Sequence, residues 1–98
     1  MDKAVDLCSN RFSFNIIIKA LNIFNLDYKN KLIYILCFSS NVLKLLNDKY
    51  GNIVINRVVN NMDSEMKYNF KKYLELNYKN TSSKDQSLIN QVMILLNN

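Results

Sequence analysis

Ninety-eight residues allow a single domain with a small core. A hydrophobic fraction of 49% with one Gly and no Pro excludes a turn-rich sheet protein or a disordered chain and favours packed helices. Thirteen Lys and Arg against eight Asp and Glu give a formal charge of +5, a balance that attracts polyanions, with nucleic acid the leading candidate.

In chain order, a short helix is expected over Ala4 to Ser9 and a longer one from Phe12 to Phe24. A third helix is predicted from Tyr28 to Phe38, where Asp27 stands as a cap or first-turn acid. The pattern then returns: a short helix over Asn41 to Asn47, a longer one from Tyr50 to Met62 entered through Asp48 and Gly51, and one from Ser64 to Leu76 behind Asp63. The polar stretch Asn77 to Ser83 interrupts it. From Asp85 to Leu96, helical spacing of Leu88, Ile89, Val92, Leu95 and Leu96 predicts a last helix that caps the end of the stack.

The return is an internal repeat. A shift of 38 residues lays NRFSFNIIIKALN, from Asn10, over DKYGNIVINRVVN, from Asp48, without a gap. The register continues upstream, with Val5 and Leu7 on Leu43 and Leu45, and downstream, with Phe24, Lys29, Leu32 and Leu36 on Met62, Lys67, Phe70 and Leu74. Arg11 matches Lys49 and Lys19 matches Arg57. The expected organisation is a single helical-repeat domain: a first unit over about 1–38, a second over about 39–76, and a linker with the capping helix over 77–98.

A helical wheel separates the faces of the second helix in each unit. In unit two, Tyr50, Val54, Ile55, Val58, Val59 and Met62 share the core arc, while Lys49, Asn52, Asn56, Arg57 and Asn60 surround Ile53 on the outer one. Asn52 and Asn56 stand one turn apart, so their amides can project together. Amides can bond a base edge, an apolar side chain can lie against a base, and cations can meet phosphates. In unit one the core arc is Phe12, Ile16, Ile17, Ala20, Leu21 and Phe24, and the outer arc is Arg11, Phe14, Asn15, Ile18, Lys19 and Asn22. Phe14 and Ile18 take the places of Asn52 and Asn56, either as a stacking platform or as an apolar patch covered by a protein partner.

The segment DKYGNIVINRVV resembles the second helix of a Pumilio (PUF) repeat, and NRFSFNIIIKAL is similar to a weaker form of the same helix. The resemblance covers Ala4 to Leu76. It implies an all-α fold, an α-solenoid of three-helix PUF-like repeats with a C-terminal capping helix, whose second helices line a concave face that binds single-stranded RNA. Carried over by position, Asn52 and Asn56 would read base edges with Ile53 stacking between them, and in unit one Phe14 and Ile18 would take the edge positions with Asn15 at the stacking one. Asn56 is shorter than the usual Gln or Glu, and Phe14 and Ile18 offer a base no hydrogen bond. The family usually carries about eight repeats, whereas this chain holds two. Single-stranded RNA, mRNA above all, is the partner so implied, in post-transcriptional regulation or rRNA processing, with Arg11, Lys19, Lys49 and Arg57 on phosphates.

The rival reading is a HEAT-like or armadillo-like repeat that binds a protein without RNA, and Phe14, Ile18 and Ile53 on polar arcs support it. No catalysis, cofactor or metal is expected: the chain has no His, no Gly-rich phosphate loop and no nucleophile elbow. Cys8 and Cys37 match no metal or disulfide spacing and read as reduced core thiols. No membrane partner is expected, because the longest apolar stretch, Leu32 to Phe38, is too short for a span and the N-terminus carries no signal-type segment. A cytoplasmic, nuclear or nucleolar protein is therefore anticipated.

Overall fold

Short polar side chains fix most helix starts in this chain. The computed structural model describes residues 6–23, 25–79 and 81–97. Within them lie six helices, α1 (Phe14–Ile23), α2 (Leu26–Cys37), α3 (Asn41–Leu46), α4 (Lys49–Asn60), α5 (Ser64–Asn77) and α6 (Ser83–Leu96); residues 6–8 are also helical. Asn25 caps α2 by accepting from Tyr28 N, Asp48 caps α4 by accepting from Tyr50 N and Gly51 N, Asp63 caps α5 from Met66 N, and Ser82 caps α6 from Asp85 N. Each bond satisfies a backbone donor that the helix itself leaves unpaired. Asp27 lies in the first turn of α2, so Asn25 and not Asp27 is the cap there.

The 38-residue offset is visible in the hydrogen bonds. Asn10 Oδ1 accepts from Phe12 N at 2.7 Å, as Asp48 Oδ2 accepts from Tyr50 N at 3.0 Å. Phe14 N donates to Asn10 O at 2.9 Å, as Asn52 N donates to Asp48 O at 2.8 Å. Asn25 and Asp63, which also stand at this offset, cap α2 and α5 through the same third-residue donor at 3.0 and 2.7 Å. Arg11 lies 4.7 Å over the Phe12 ring and Lys49 lies 5.6 Å over the Tyr50 ring. Equivalent sequence positions therefore make equivalent local contacts, down to the cation above the ring.

One departure from this equivalence has a steric cause. Helix α4 begins at Lys49, whereas α1 begins at Phe14, three positions later in register, with residues 11–13 in turns. Gly51 corresponds to Ser13. A Cβ built on Gly51 would stand 2.6 Å from Leu45 O and 2.9 Å from Leu45 Cα, so only glycine lets α4 press onto the end of α3. Ser13 cannot approach as closely, and its hydroxyl instead donates to Leu7 O at 3.0 Å.

Helix α4 occupies the middle of the bundle and packs against α1, α2, α3 and α6, while α2 also meets α3 and α5 meets α6. The core gathers Val54, Ile55, Val58 and Val59 of α4 with Leu21, Ile33, Leu36, Leu45, Phe70, Leu74, Ile89 and Val92. Phe38 bridges the two units, 5.5 Å from Phe70 and 5.5 Å from Tyr73. The Cα radius of gyration is 12.5 Å, that of a compact domain of this length.

The core arc of α4 is as the wheel places it, except that Tyr50 is half-buried. For α1 the wheel requires correction. Ile17, Ala20 and Leu21 are buried, but Phe12 and Ile16 are exposed. Phe14 and Ile18, placed by the wheel on the outer arc, are partly buried and packed on the core. The reason is that α1 packs on α4 and turns Phe14 toward it, the Phe14 ring meeting that of Tyr50. Phe24 and the expected helical residues Ala4 and Val5 lie outside the described residues. Among the described residues no helix is long and apolar enough to cross a membrane.

Candidate RNA-binding face

The outward face of α4 is built by three constraints: Asp48 and Gly51 fix where the helix starts, and the buried valines fix its rotation about its own axis. With Val54, Val58 and Val59 inward, Lys49, Ile53, Arg57 and Asn60 must point out, and all four are exposed. Ile53 retains 38% of its surface, an apolar residue set among cations and amides. On α1 the same register brings Asn15, Lys19 and Asn22 to the surface, with Arg11 exposed in the preceding turn. Among the described residues, none of Arg11, Lys19, Lys49 and Arg57 is ion-paired to a carboxylate.

Asn52 and Asn56 lie on the flank of α4 beside this row and are half-buried. Asn52 Nδ2 donates to Leu46 O at 3.0 Å, and Asn56 Nδ2 donates to Asn52 Oδ1 at 3.2 Å. A carbonyl can only accept, so Leu46 O fixes which way the Asn52 amide faces, and Asn52 in turn fixes Asn56. The pair is thus a chain, not two parallel readers. Asn52 spends both of its amide atoms inside the protein and keeps one spare N–H. Asn56 keeps its whole Oδ1 and one N–H for an outside partner, a donor and acceptor side by side that suit the edge of a nucleobase.

Phe14 is placed differently from its counterpart Asn52. Its ring lies 5.1 Å from that of Tyr50, at 34°, so it joins α1 to α4. The Phe14 and Ile18 patch expected on the outer arc is therefore largely an internal contact between helices. Asn15, one position on, is exposed.

The anchoring of Asn52 by Leu46 O is a feature that the sequence reading missed. Its signal is the glycine at 51: close approach of α4 to α3 is what brings the Leu46 carbonyl within reach of the next side chain. A groove of about 490 Å³ also runs between the end of α5 and α6, lined by Leu76, Tyr78, Lys79, Gln86 and Met93 among others, on helices that contribute nothing to the row. Among the described residues no cluster of three His, Cys, Asp or Glu could hold a metal ion.

The fold and this face define an all-helical chain with a cationic, amide-bearing row on its central helix. No family model matches the chain, and neither a curated protein nor a solved structure matches it.

Proposed function

We propose that the chain binds single-stranded RNA along the outward row of α4, extended by that of α1, in the manner of a two-repeat PUF-like α-solenoid with α6 as its cap. The observation that carries this reading is the row itself: Lys49, Ile53, Arg57 and Asn60 exposed together, with the Asn56 amide held at its edge by Asn52. Cations with no carboxylate partner among the described residues can meet phosphates, Ile53 can lie against a base, and Asn56 can pair with a base edge. On α1, Arg11 and Lys19 continue the phosphate contacts and Asn15 takes the position of Ile53, whereas Phe14 supports the helix pair from below. Recognition needs no chemistry on the RNA. An amide bond contributes about 1 kcal/mol and base stacking about 1–3 kcal/mol, so two such units hold about two bases, weakly and with strong salt dependence. Such a protein would act on mRNA or rRNA in post-transcriptional control.

The test is a fluorescence-anisotropy titration of labelled single-stranded U/A-rich RNA against the same sequence as duplex, at two salt concentrations. Tighter binding of the single strand, reduced by Asn56→Ala and by the Asn52→Ala/Asn56→Ala pair with unchanged helical circular dichroism, supports the reading. Equal binding to both forms, or none, removes it and leaves the helical-repeat protein-interaction module, for which the exposed Phe12 and Ile16 speak.

A further inference from the structure

Equivalent positions of α2 and α5 line clefts of different character. Leu26, Lys29, Asn30 and Ile33 of α2 line a narrow cleft of about 120 Å³, closed from the other side by residues of the second unit, Met62 and Met66 among them. At the 38-residue offset these four become Ser64, Lys67, Tyr68 and Lys71 of α5, which line a wider cleft of about 340 Å³ against Leu96 and Asn97 at the end of α6. Lys29 is kept as Lys67, but the apolar Leu26 and Ile33 give way to Ser64 and Lys71, and Asn30 to an aromatic ring. Ile33 is a core residue with 1% of its surface exposed, so packing alone gives no reason for a lysine at its counterpart. The place that joins two units in the first half is thus opened and charged in the second, at a size within the range of small-ligand clefts, roughly 300–1,000 Å³.

Lys67 and Lys71 stand one helical turn apart and are both half-buried, with their stems along the protein and their charges at the cleft. Like charges at this spacing repel, and among the described residues neither is ion-paired to a carboxylate. The acids of the same helix open elsewhere: Asp63 and Glu65 line a cleft shared with Asn30 and Tyr34 of α2, and Glu75 lines the groove at the far end of α5. Lys71 Nζ donates to Asn97 Oδ1 at 3.0 Å, which ties it to α6 and leaves Asn97 Nδ2 able to donate. Tyr68 is 61% exposed, and Lys72 lies 5.6 Å over its ring as a third cation nearby. Two ammonium groups, a hydroxyl and an amide around one opening suit the oxygens of a phosphate, and the ring beside them offers a base a stacking surface.

We propose that the cleft between α5 and the end of α6 binds the phosphate of a nucleotide, with Lys67 and Lys71 on the phosphate oxygens and Tyr68 against the base. An anion between the two lysines replaces their repulsion by a shared attraction. The site shares no residue with the row on α4 and stands without it. The nucleotide is either free or one member of an RNA strand, and the chemistry of capture is the same for both.

Amide-resolved NMR of the isotope-labelled full chain tests this, with adenosine monophosphate, adenosine and a single-stranded oligoadenylate as probes. The monophosphate should shift the amides of Ser64, Tyr68 and Asn97. Adenosine should bind about tenfold more weakly or worse, and the Lys67→Gln/Lys71→Gln pair should lose as much affinity for the monophosphate with unchanged helical circular dichroism. If the pair loses helix, Lys67→Gln alone carries the same comparison, and the adenosine comparison on the native chain needs no variant. Lys84→Gln, at the opposite end of α6, should change nothing. Shifts of these amides by the oligoadenylate identify the nucleotide as part of a strand; shifts by the monophosphate alone identify a free one. RNA binding on α4 is read at the amides of Ile53 and Asn56, so the two sites hold or fail separately. No shift of the cleft amides with either phosphate-bearing probe, adenosine bound as tightly as its monophosphate, or full affinity in the Gln variants would each overturn the proposal.

Discussion

The rings of Phe14 and Tyr50 stand 5.1 Å apart at 34°, and through them the second helix of one unit rests on the second helix of the next. Phe14 is half-buried and packed on the core, so its removal opens space between α1 and α4. Phe14→Ala is expected to lower stability by about 2 kcal/mol, less than the loss for a fully buried ring. Part of that is specific to the pair: a double-mutant cycle of Phe14→Leu with Tyr50→Leu should show a coupling of about 0.5–1.5 kcal/mol in urea unfolding. Additive losses would show that the rings are neighbours without a mutual contribution.

Gly51 sits inside a helix, where alanine ordinarily gains about 1 kcal/mol. Here the added methyl would meet backbone atoms of Leu45 at 2.6 and 2.9 Å, and backbone cannot swing aside as a side-chain end can. Gly51→Ala is therefore expected to destabilise by about 2 kcal/mol or more, reversing the sign set by propensity. Because Asn52 reaches Leu46 O only across this close approach, the same change should loosen Asn56 as well. A thermal melt that rises on substitution would show that α3 and α4 separate at little cost.

The helices were legible from residue spacing because the apolar periodicity and the caps agree. Asp48 and Asp63 announced the starts of α4 and α5, and the register between Asn10 and Asp48 announced that the local contacts would recur. Face assignment was legible for α4, which has neighbours on several sides; for α1 it held for Ile17, Ala20 and Leu21 and failed for Phe12, Ile16, Phe14 and Ile18. A wheel reports which residues cluster, and both Phe12 with Ile16 and Phe14 with Ile18 are apolar clusters. Which of the two is buried depends on which side α4 lies, a tertiary fact absent from the spacing. The coupling of Asn52 to Asn56 was half legible: one turn apart predicts proximity, but the Leu46 carbonyl that orients the pair belongs to another helix.

Both cysteines are buried free thiols. Burial pushes the Cys8 thiol from 9.0 up to about 12, and Cys37 is raised further by burial and, secondarily, by Cys8. A thiolate is the reactive form, so neither should react with a disulfide reagent in the folded protein at neutral pH, and both should react in denaturant. The linkage has a definite sign. The folded state holds these protons more tightly than the unfolded one, so their contribution is fully present below pH 9 and falls as pH rises from 9 toward 12. Urea midpoints should therefore decline across that range, and replacing both residues by Ala should flatten the decline.

Lys49 and Arg57 flank Ile53 on the outward row, and neither is neutralised by a carboxylate among the described residues. Substituting either by Gln removes a cation at an exposed position; for Lys49 it also removes the cation above the Tyr50 ring, so helical circular dichroism is followed alongside. If they meet phosphates, each substitution weakens single-stranded RNA binding at low salt and lowers the slope of log K against log salt by about 0.7, and the two together by about 1.4. Asn56→Ala predicts a different pattern: weaker binding with the slope unchanged, since an amide releases no counterion. Anisotropy titrations of the three variants over a salt series separate the two roles. Unchanged slopes for both Gln variants would place the phosphates elsewhere, and a slope that falls with Asn56→Ala would show that the amide acts by holding the cations in position and not by touching a base.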